Sequence, residues 1–185
     1  RLTTVGNFDP SYANGDGHSN IRQEFGPFFT RYDAATRIEI LGNGKMLVAG
    51  KAQTGQNSDQ YYAYVDRINP ADVLDYDETF GSGGGIREFG ITYSFDLGDM
   101  LLQSDGKILL VGTHRDTSAI ARDMLIMRRT ANGDPDLTFG ANSNGRTYLD
   151  FNIPGELDFG IAGALQNGRV IMAGYSLNTA QLNYD

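Results

Sequence analysis

The side chains in this chain that could do chemistry are few, and most of them are acidic. Asp72, Asp75, Asp77 and Glu78 place four carboxylates within seven residues, and Asn14-Gly-Asp16-Gly17 has the make-up of the middle of a calcium loop. Hard cations collect several carboxylate and carbonyl oxygens, so calcium is the cofactor these residues could hold. The spacing departs from an EF-hand, which would need Asp where Tyr12 stands and Glu where Gln23 stands. Asp77 also recurs as Asp9 and Asp136, a pattern that turn capping accounts for without a metal.

Other chemistries find less support. His18 and His114 fall in different parts of the chain and read as solvated loop histidines. The serines lack a Gly-x-Ser-x-Gly elbow, which removes the sequence basis for a hydrolase triad. Gly81-Ser-Gly-Gly-Gly85 is not followed by Lys-Ser/Thr, so it reads as a turn and not as a phosphate loop. The densest aromatic group is Tyr61, Tyr62 and Tyr64. On a strand Tyr62 and Tyr64 share a face, which makes them the candidate platform for a sugar or protein partner. Packing between sheets competes with that reading, because Met124 and Ile126 stand at the corresponding places of the next repeat.

The elements that must position these residues come from repetition. Ile38–Gly50, Met100–Gly112 and Ala162–Gly174 align without gaps, and Gly44, Gly106 and Gly168 are spaced by 62 residues each time. Asn43-Gly44, Asp105-Gly106 and Asn167-Gly168 suit the two positive-φ positions of a type I′ turn, so each predicts a hairpin tip. Before each tip, apolar residues alternate with period two: Ile38 and Ile40, Met100 and Leu102, Ala162 and Ala164. After it, Met46–Ala49, Ile108–Val111 and Val170–Ala173 are apolar on both faces, as in a strand covered on both sides. A third strand is predicted over Gln60–Ile68 and Asp123–Arg129, with Arg67 and Arg129 each 17 residues after the repeat glycine. An Asp-x-x-aromatic corner (Asp9–Tyr12, Asp77–Phe80, Asp136–Phe139) then leads to a short fourth strand at Gly85–Gly90 and Gly145–Phe151, with Ile21–Gly26 as the counterpart in the first copy.

Four short antiparallel strands per unit, with a doubly covered strand inside, predict an all-β fold of about three β-propeller blades, part of a larger propeller. The repeats run over about 1–66, 67–128 and 129–185. Both ends of the chain fall in the third strand of a repeat, which predicts further repeats in a longer chain, or association of copies, to close a ring. The first residue is Arg1, so a leader or a longer N-terminal part is expected to have preceded it.

Composition bounds the function. The 24 glycines against 5 prolines fit many tight turns, and 40% hydrophobic residues argue against disorder. A net charge of -8 repels phosphate backbones, which argues against nucleic acid as a partner. No apolar run is long enough for a membrane span. The absence of cysteine excludes disulfides and thiolate metal sites.

Ser104-Asp-Gly-Lys-Ile-Leu-Leu-Val-Gly112, the later Arg129 and Asp136-Leu-Thr-Phe-Gly140 resemble the delta-60 repeat, a predicted β-propeller repeat of bacterial secreted and surface proteins. The resemblance extends over essentially the whole chain. The first copy departs from it with Tyr12-Ala13 in place of Phe-Gly, and the third with Arg169 in place of Lys. It implies an extracytoplasmic location and brings no catalytic residues. The leading expectation is a non-catalytic binding or scaffolding module with a protein or carbohydrate partner. A polysaccharide-active enzyme with its site near the propeller axis, or a structural subunit of a larger assembly, are the alternatives.

Overall fold

The computed structural model describes residues 2–11, 33–53, 61–69, 75–81, 83, 85–87, 94–115, 122–149 and 156–178. Within them the chain is all-β and antiparallel. The first sheet holds β1 (Asp33–Ile40), β2 (Met46–Gln53), β3 (Tyr61–Ile68) and β4 (Gly85–Arg87), side by side in sequence order. The second repeats that order with β5 (Ser94–Leu102), β6 (Ile108–Arg115), β7 (Arg122–Arg129) and β8 (Arg146–Leu149). The third is the hairpin of β9 (Glu156–Gln166) and β10 (Arg169–Asn178). The sequence windows 1–66, 67–128 and 129–185 are out of phase with these sheets, since their borders fall inside β3 and β7. The predicted counterpart strand Ile21–Gly26 lies outside the described residues.

Each Asn/Asp-Gly dipeptide does sit at a hairpin tip, but the turns differ. Asn167 and Gly168 both have positive φ (50° and 75°) and close a two-residue loop between the paired Gln166 and Arg169, the type I′ geometry. In the other two hairpins only the glycines, Gly44 and Gly106, have positive φ (82° and 81°). There Leu41 N–H donates to the Lys45 carbonyl at 2.8 Å, and Gln103 N–H to that of Lys107 at 2.8 Å, so the loops have three residues. The type I′ expectation is thus corrected at Asn43-Gly44 and Asp105-Gly106. The longer loop lets the Asn43 and Asp105 side chains accept from the N–H two residues on, at 3.1 and 3.2 Å.

That one-residue difference changes the third sheet. Leu47 and Leu109 lie opposite Glu39 and Leu101, but their repeat equivalent Ile171 lies opposite Ala164 and not Gly163. A slip of one residue exchanges the faces of a strand. Gly163 therefore turns toward the second sheet, where a Cβ would meet Leu101 Cδ1 at 2.9 Å and Val111 Cγ2 at 3.1 Å.

Every first strand carries a bulge, between Ala35 and Arg37, Leu97 and Asp99, and, across from Ala173 and Gly174, between Gly160 and Ala162. Gly50, Gly112 and Gly174, the last residues of the aligned segments, stand opposite it. A Cβ there would lie 2.2 Å from the Ala34 carbonyl oxygen, 2.2 Å from that of Asp96 and 1.8 Å from that of Phe159. The bulge tilts that carbonyl into the space of a side chain, which is why the repeat ends on glycine.

The sheets stack through aliphatic faces. Leu47, Ala49, Ala63, Val65 and Phe80 of the first pack on Phe95, Leu97, Met100, Ile108, Leu110, Leu125 and Met127 of the second. Leu101, Leu109, Val111 and Ile126 form the opposite face of the second sheet and meet Val170 and Met172 of the third. Strand β6 is thus buried on both faces, as predicted, and Leu47–Ala49 of β2 are buried too. Strand β10 is not: Ile171 is 45% exposed, so among the described residues its outer face is uncovered.

Candidate functional site

Two sequence motifs that recur together prove to be one structural device. In the first sheet, Asp77 Oδ2 accepts from Lys45 Nζ at 2.6 Å and Arg67 Nε at 2.7 Å. Its Oδ1 accepts from the Thr79 amide at 3.2 Å and the Thr79 hydroxyl at 2.6 Å. In the second sheet Asp136 does the same with Arg128 Nε at 2.8 Å, Lys107 Nζ at 3.2 Å, and the Thr138 amide and hydroxyl at 3.0 and 2.6 Å. Each guanidinium also lies over the corner aromatic ring, Arg67 over Phe80 at 4.6 Å and Arg128 over Phe139 at 4.7 Å. The lysine after each hairpin glycine is thereby tied to a corner about thirty residues later, with |i−j| of 32 in the first sheet. The first copy keeps the inner half: Asp9 Oδ1 accepts from the Ser11 amide at 2.9 Å and hydroxyl at 2.6 Å.

Both aspartates are held below the ordinary carboxylate range. For Asp77 the Lys45 ammonium is the main cause, followed by the Thr79 hydroxyl, with burial opposing them. For Asp136 the Thr138 hydroxyl leads, and burial again opposes. The corner also joins sheets, since Arg67 donates to the Ala131 carbonyl at 3.0 Å and Gly81 N–H to that of Asn132 at 2.8 Å. The partner of Asp136 is Arg128, so the alignment of Arg67 with Arg129 is corrected. Gly50 lies opposite Tyr64 and Gly112 opposite Leu125, which makes the second connection one residue shorter. Arg129 takes the place of Ile68 and is buried, and that burial, with the nearby charge of Arg146, pushes its pKa down to about 10.

The candidate calcium residues are not gathered around a common point. Asp77 spends both carboxylate oxygens inside the corner, Asp75 accepts from Asn69 Nδ2 at 3.0 Å, and Glu78 is exposed. Asp72 and the stretch Asn14–Gly17 lie outside the described residues. A cation at Asp77 would have to displace an ammonium and a guanidinium. Among the described residues no group of three or more His, Asp or Glu could hold a metal ion.

Tyr62 and Tyr64 do share a face, but they are only 2% and 4% exposed and cluster with Ala52. A Cβ on Gly50 would strike the Tyr64 ring, so the tyrosine fills the space that the glycine leaves. The exposed platform is therefore corrected to a packed pair. His114 is corrected as well: it lies in β6, 6% exposed, edge-on to Tyr148 with ring centroids 5.2 Å apart and Nδ1 4.0 Å from Asp123 Oδ2.

The concave surface that sequence reasoning missed lies where the three sheets meet, beside Tyr61. It is a cleft of about 50 Å³ lined by Tyr61, Ser94, Asp96, Thr113, Arg115, Arg122 and Phe159. Hydrogen bonds fix its walls. Ser94 Oγ accepts from the Tyr61 amide at 2.8 Å and donates to the Tyr61 carbonyl at 3.0 Å, while Thr113 Oγ1 accepts from the Gly160 amide at 3.0 Å. Lys51 Nζ bridges to Asp96 at 2.6 Å and lies 5.2 Å from the centroid of the Tyr61 ring. Arg122 lies over Phe159 at 4.9 Å, and Phe159 stacks on Tyr175 with centroids 4.5 Å apart. The volume suits one carboxylate or hydroxymethyl group and not a whole sugar ring.

The hairpin tip, lysine, arginine and Asp-x-Thr-Phe corner of the second sheet form one continuous stretch of sequence. Residues 103–139 match the family model of a β-propeller domain of unknown function, DUF5122. The matched stretch runs from the base of the Ser104–Gly106 turn through β6 and β7 to Phe139, and so holds every member of the second ion-pair corner. It supports a β-propeller repeat, and the sheets are called blades from here on. No match was found among curated proteins or among solved structures. Among the described residues no helix is long and apolar enough to cross a membrane.

Proposed function

We propose that this chain is a binding or scaffolding module of the delta-60 kind, from a secreted or cell-surface bacterial protein, with the cleft between its blades as the ligand site. The observation that carries the reading is the cleft lining: strands β3, β5, β6, β7 and β9 of three blades each contribute to one polar, aromatic-walled recess. Two guanidinium groups, two hydroxyls and two aromatic rings suit a carbohydrate that bears a carboxylate. Arginine recognises that group through paired donors, and a ring face takes the apolar side of a sugar. Asp96 is the one carboxylate among the lining residues and is already bridged to Lys51. Glycoside hydrolysis needs two carboxylates facing one bond, so the lining favours binding over catalysis. The extracytoplasmic location rests on the delta-60 resemblance.

Calorimetric titration with a tri-uronic acid oligosaccharide and with its neutral counterpart tests the reading. The acidic sugar is expected to bind, and Arg122→Gln to weaken it by about tenfold, the value of one charge-assisted contact. Equal binding of both sugars, binding of neither, or unchanged affinity in Arg122→Gln would refute the assignment.

A further inference from the structure

Positions 62 residues apart on β2, β6 and β10 form a series: Leu47, Leu109 and Ile171, and beside them Ala49, Val111 and Ala173. The first two members of each series are at most 2% exposed. Leu47 and Ala49 pack on Met100, Ile108 and Leu110 of the next blade, and Leu109 and Val111 pack on Val170 and Met172 of the one after. The third members face outward, with Ile171 45% exposed and Ala173 exposed. Ala162 and Ala164, paired with Ala173 and Ile171, are exposed on the same face.

At the other end of the stack the mirror situation holds. Met100 and Leu102 pack backward onto the first blade, whereas their equivalents on β1, Ile38 and Ile40, are 56% and 72% exposed. The stack thus presents, at one end, the forward side of an interface that it makes twice within itself, and at the other end the receiving side. Both ends expose aliphatic side chains at positions that the internal interfaces bury.

We propose that these two faces dock on each other between copies of this chain, head to tail, extending the internal blade-to-blade packing across a chain boundary. Continuity with the two internal interfaces names the occupant: it must offer aliphatic side chains at the places of Ile108 and Leu110, and a second copy offers Met46 and Val48 there, with Ile38 and Ile40 beside them. Such contact is heterologous, so each copy keeps one free face until the assembly closes. The inference does not depend on what the cleft binds.

The test is the solution mass of the intact chain by light scattering after size exclusion, at up to about 100 µM. The wild type is expected to exceed the 20.2 kDa of one chain, increasingly with concentration. Ile171→Glu disables one face and Ile40→Glu the other, and each variant alone should run as a single chain. An equimolar mixture should give a two-chain species, because one intact head still meets one intact tail. Both positions are exposed, so circular-dichroism melting should match the wild type; should Ile171→Glu fail to fold, Ala173→Lys replaces it. A wild type that stays at one-chain mass overturns the proposal. So does a face variant that assembles as the wild type does, or a mixture of the two variants that remains single chains, which would mean like-to-like contact.

Discussion

Replacing Gly112 by alanine should damage this protein far more than the loss of one glycine suggests. The new Cβ would lie 2.2 Å from the Asp96 carbonyl oxygen and 2.9 and 3.0 Å from two carbons of the Phe95 ring. Ordinary contact needs about 3.5 Å, so the β5 backbone must retreat by about 1 Å. It has little room to do so, because Phe95 and Leu97 are 0% and 2% exposed and sit in the core between the first two blades. Overpacking of this kind costs about 1–3 kcal/mol, and loosening one ladder hydrogen bond at the bulge adds about 1 kcal/mol. A total of about 3 kcal/mol corresponds to a fall of about 6–12 °C in Tm for a chain of this length. Thermal and urea unfolding of Gly112→Ala measure it. Gly42→Ala is the control, since no atom lies within 4 Å of its added Cβ, and it should stay within about 0.5 kcal/mol of the wild type. A Gly112→Ala protein melting within about 2 °C of the wild type would refute the bulge as the reason for the repeated glycine.

Asp77→Ala should cost about 2–3 kcal/mol, less than a fully buried pair because Lys45 is partly solvated, and adding Lys45→Met should recover part of that loss in a double-mutant cycle. Both corner aspartates titrate below their unfolded value, so the stability they contribute is present above about pH 4 and is lost as pH falls further; acid unfolding of Asp77→Ala should be correspondingly less steep. Tyr62→Ser and Tyr64→Ser should each lower stability by about 3 kcal/mol in urea unfolding, as buried aromatics do; unchanged melting would restore the exposed platform. Millimolar calcium should leave the melting temperature of the chain unchanged relative to chelator, whereas a rise of several degrees would place a cation site at the acidic run.

The sequence was a good guide to what repeats and a poor guide to what converges. Strands and hairpin tips were legible because 62-residue spacing carries the period-two pattern of Ile38 and Ile40 into Met100 and Leu102. Turn type was not legible, since Asn-Gly suits both a two-residue loop at Asn167 and a three-residue loop at Asn43; the choice also moved the register of β9. Arg129 was mistaken for the partner of Arg67's counterpart because a one-residue shortening of the connection before β7 leaves no mark among the flanking motifs. Lysine and aspartate recurred visibly, but their pairing across a whole sheet exists only in three dimensions. The cleft was the least legible feature, because its lining comes from five strands and its walls are set by backbone contacts such as Thr113 with Gly160.

The central claim is a stack in which the second blade is covered on both sides and the third on one. Amide hydrogen exchange followed by NMR tests it residue by residue. Ile108–Thr113 of β6, the middle strand of the middle blade, should exchange only through global unfolding, at the full stability of the chain. Amides of β10 around Ile171 and Ala173 should exchange measurably faster, through opening of the outer hairpin. Equal protection of β6 and β10, or faster exchange in β6, would contradict the stacked-blade account.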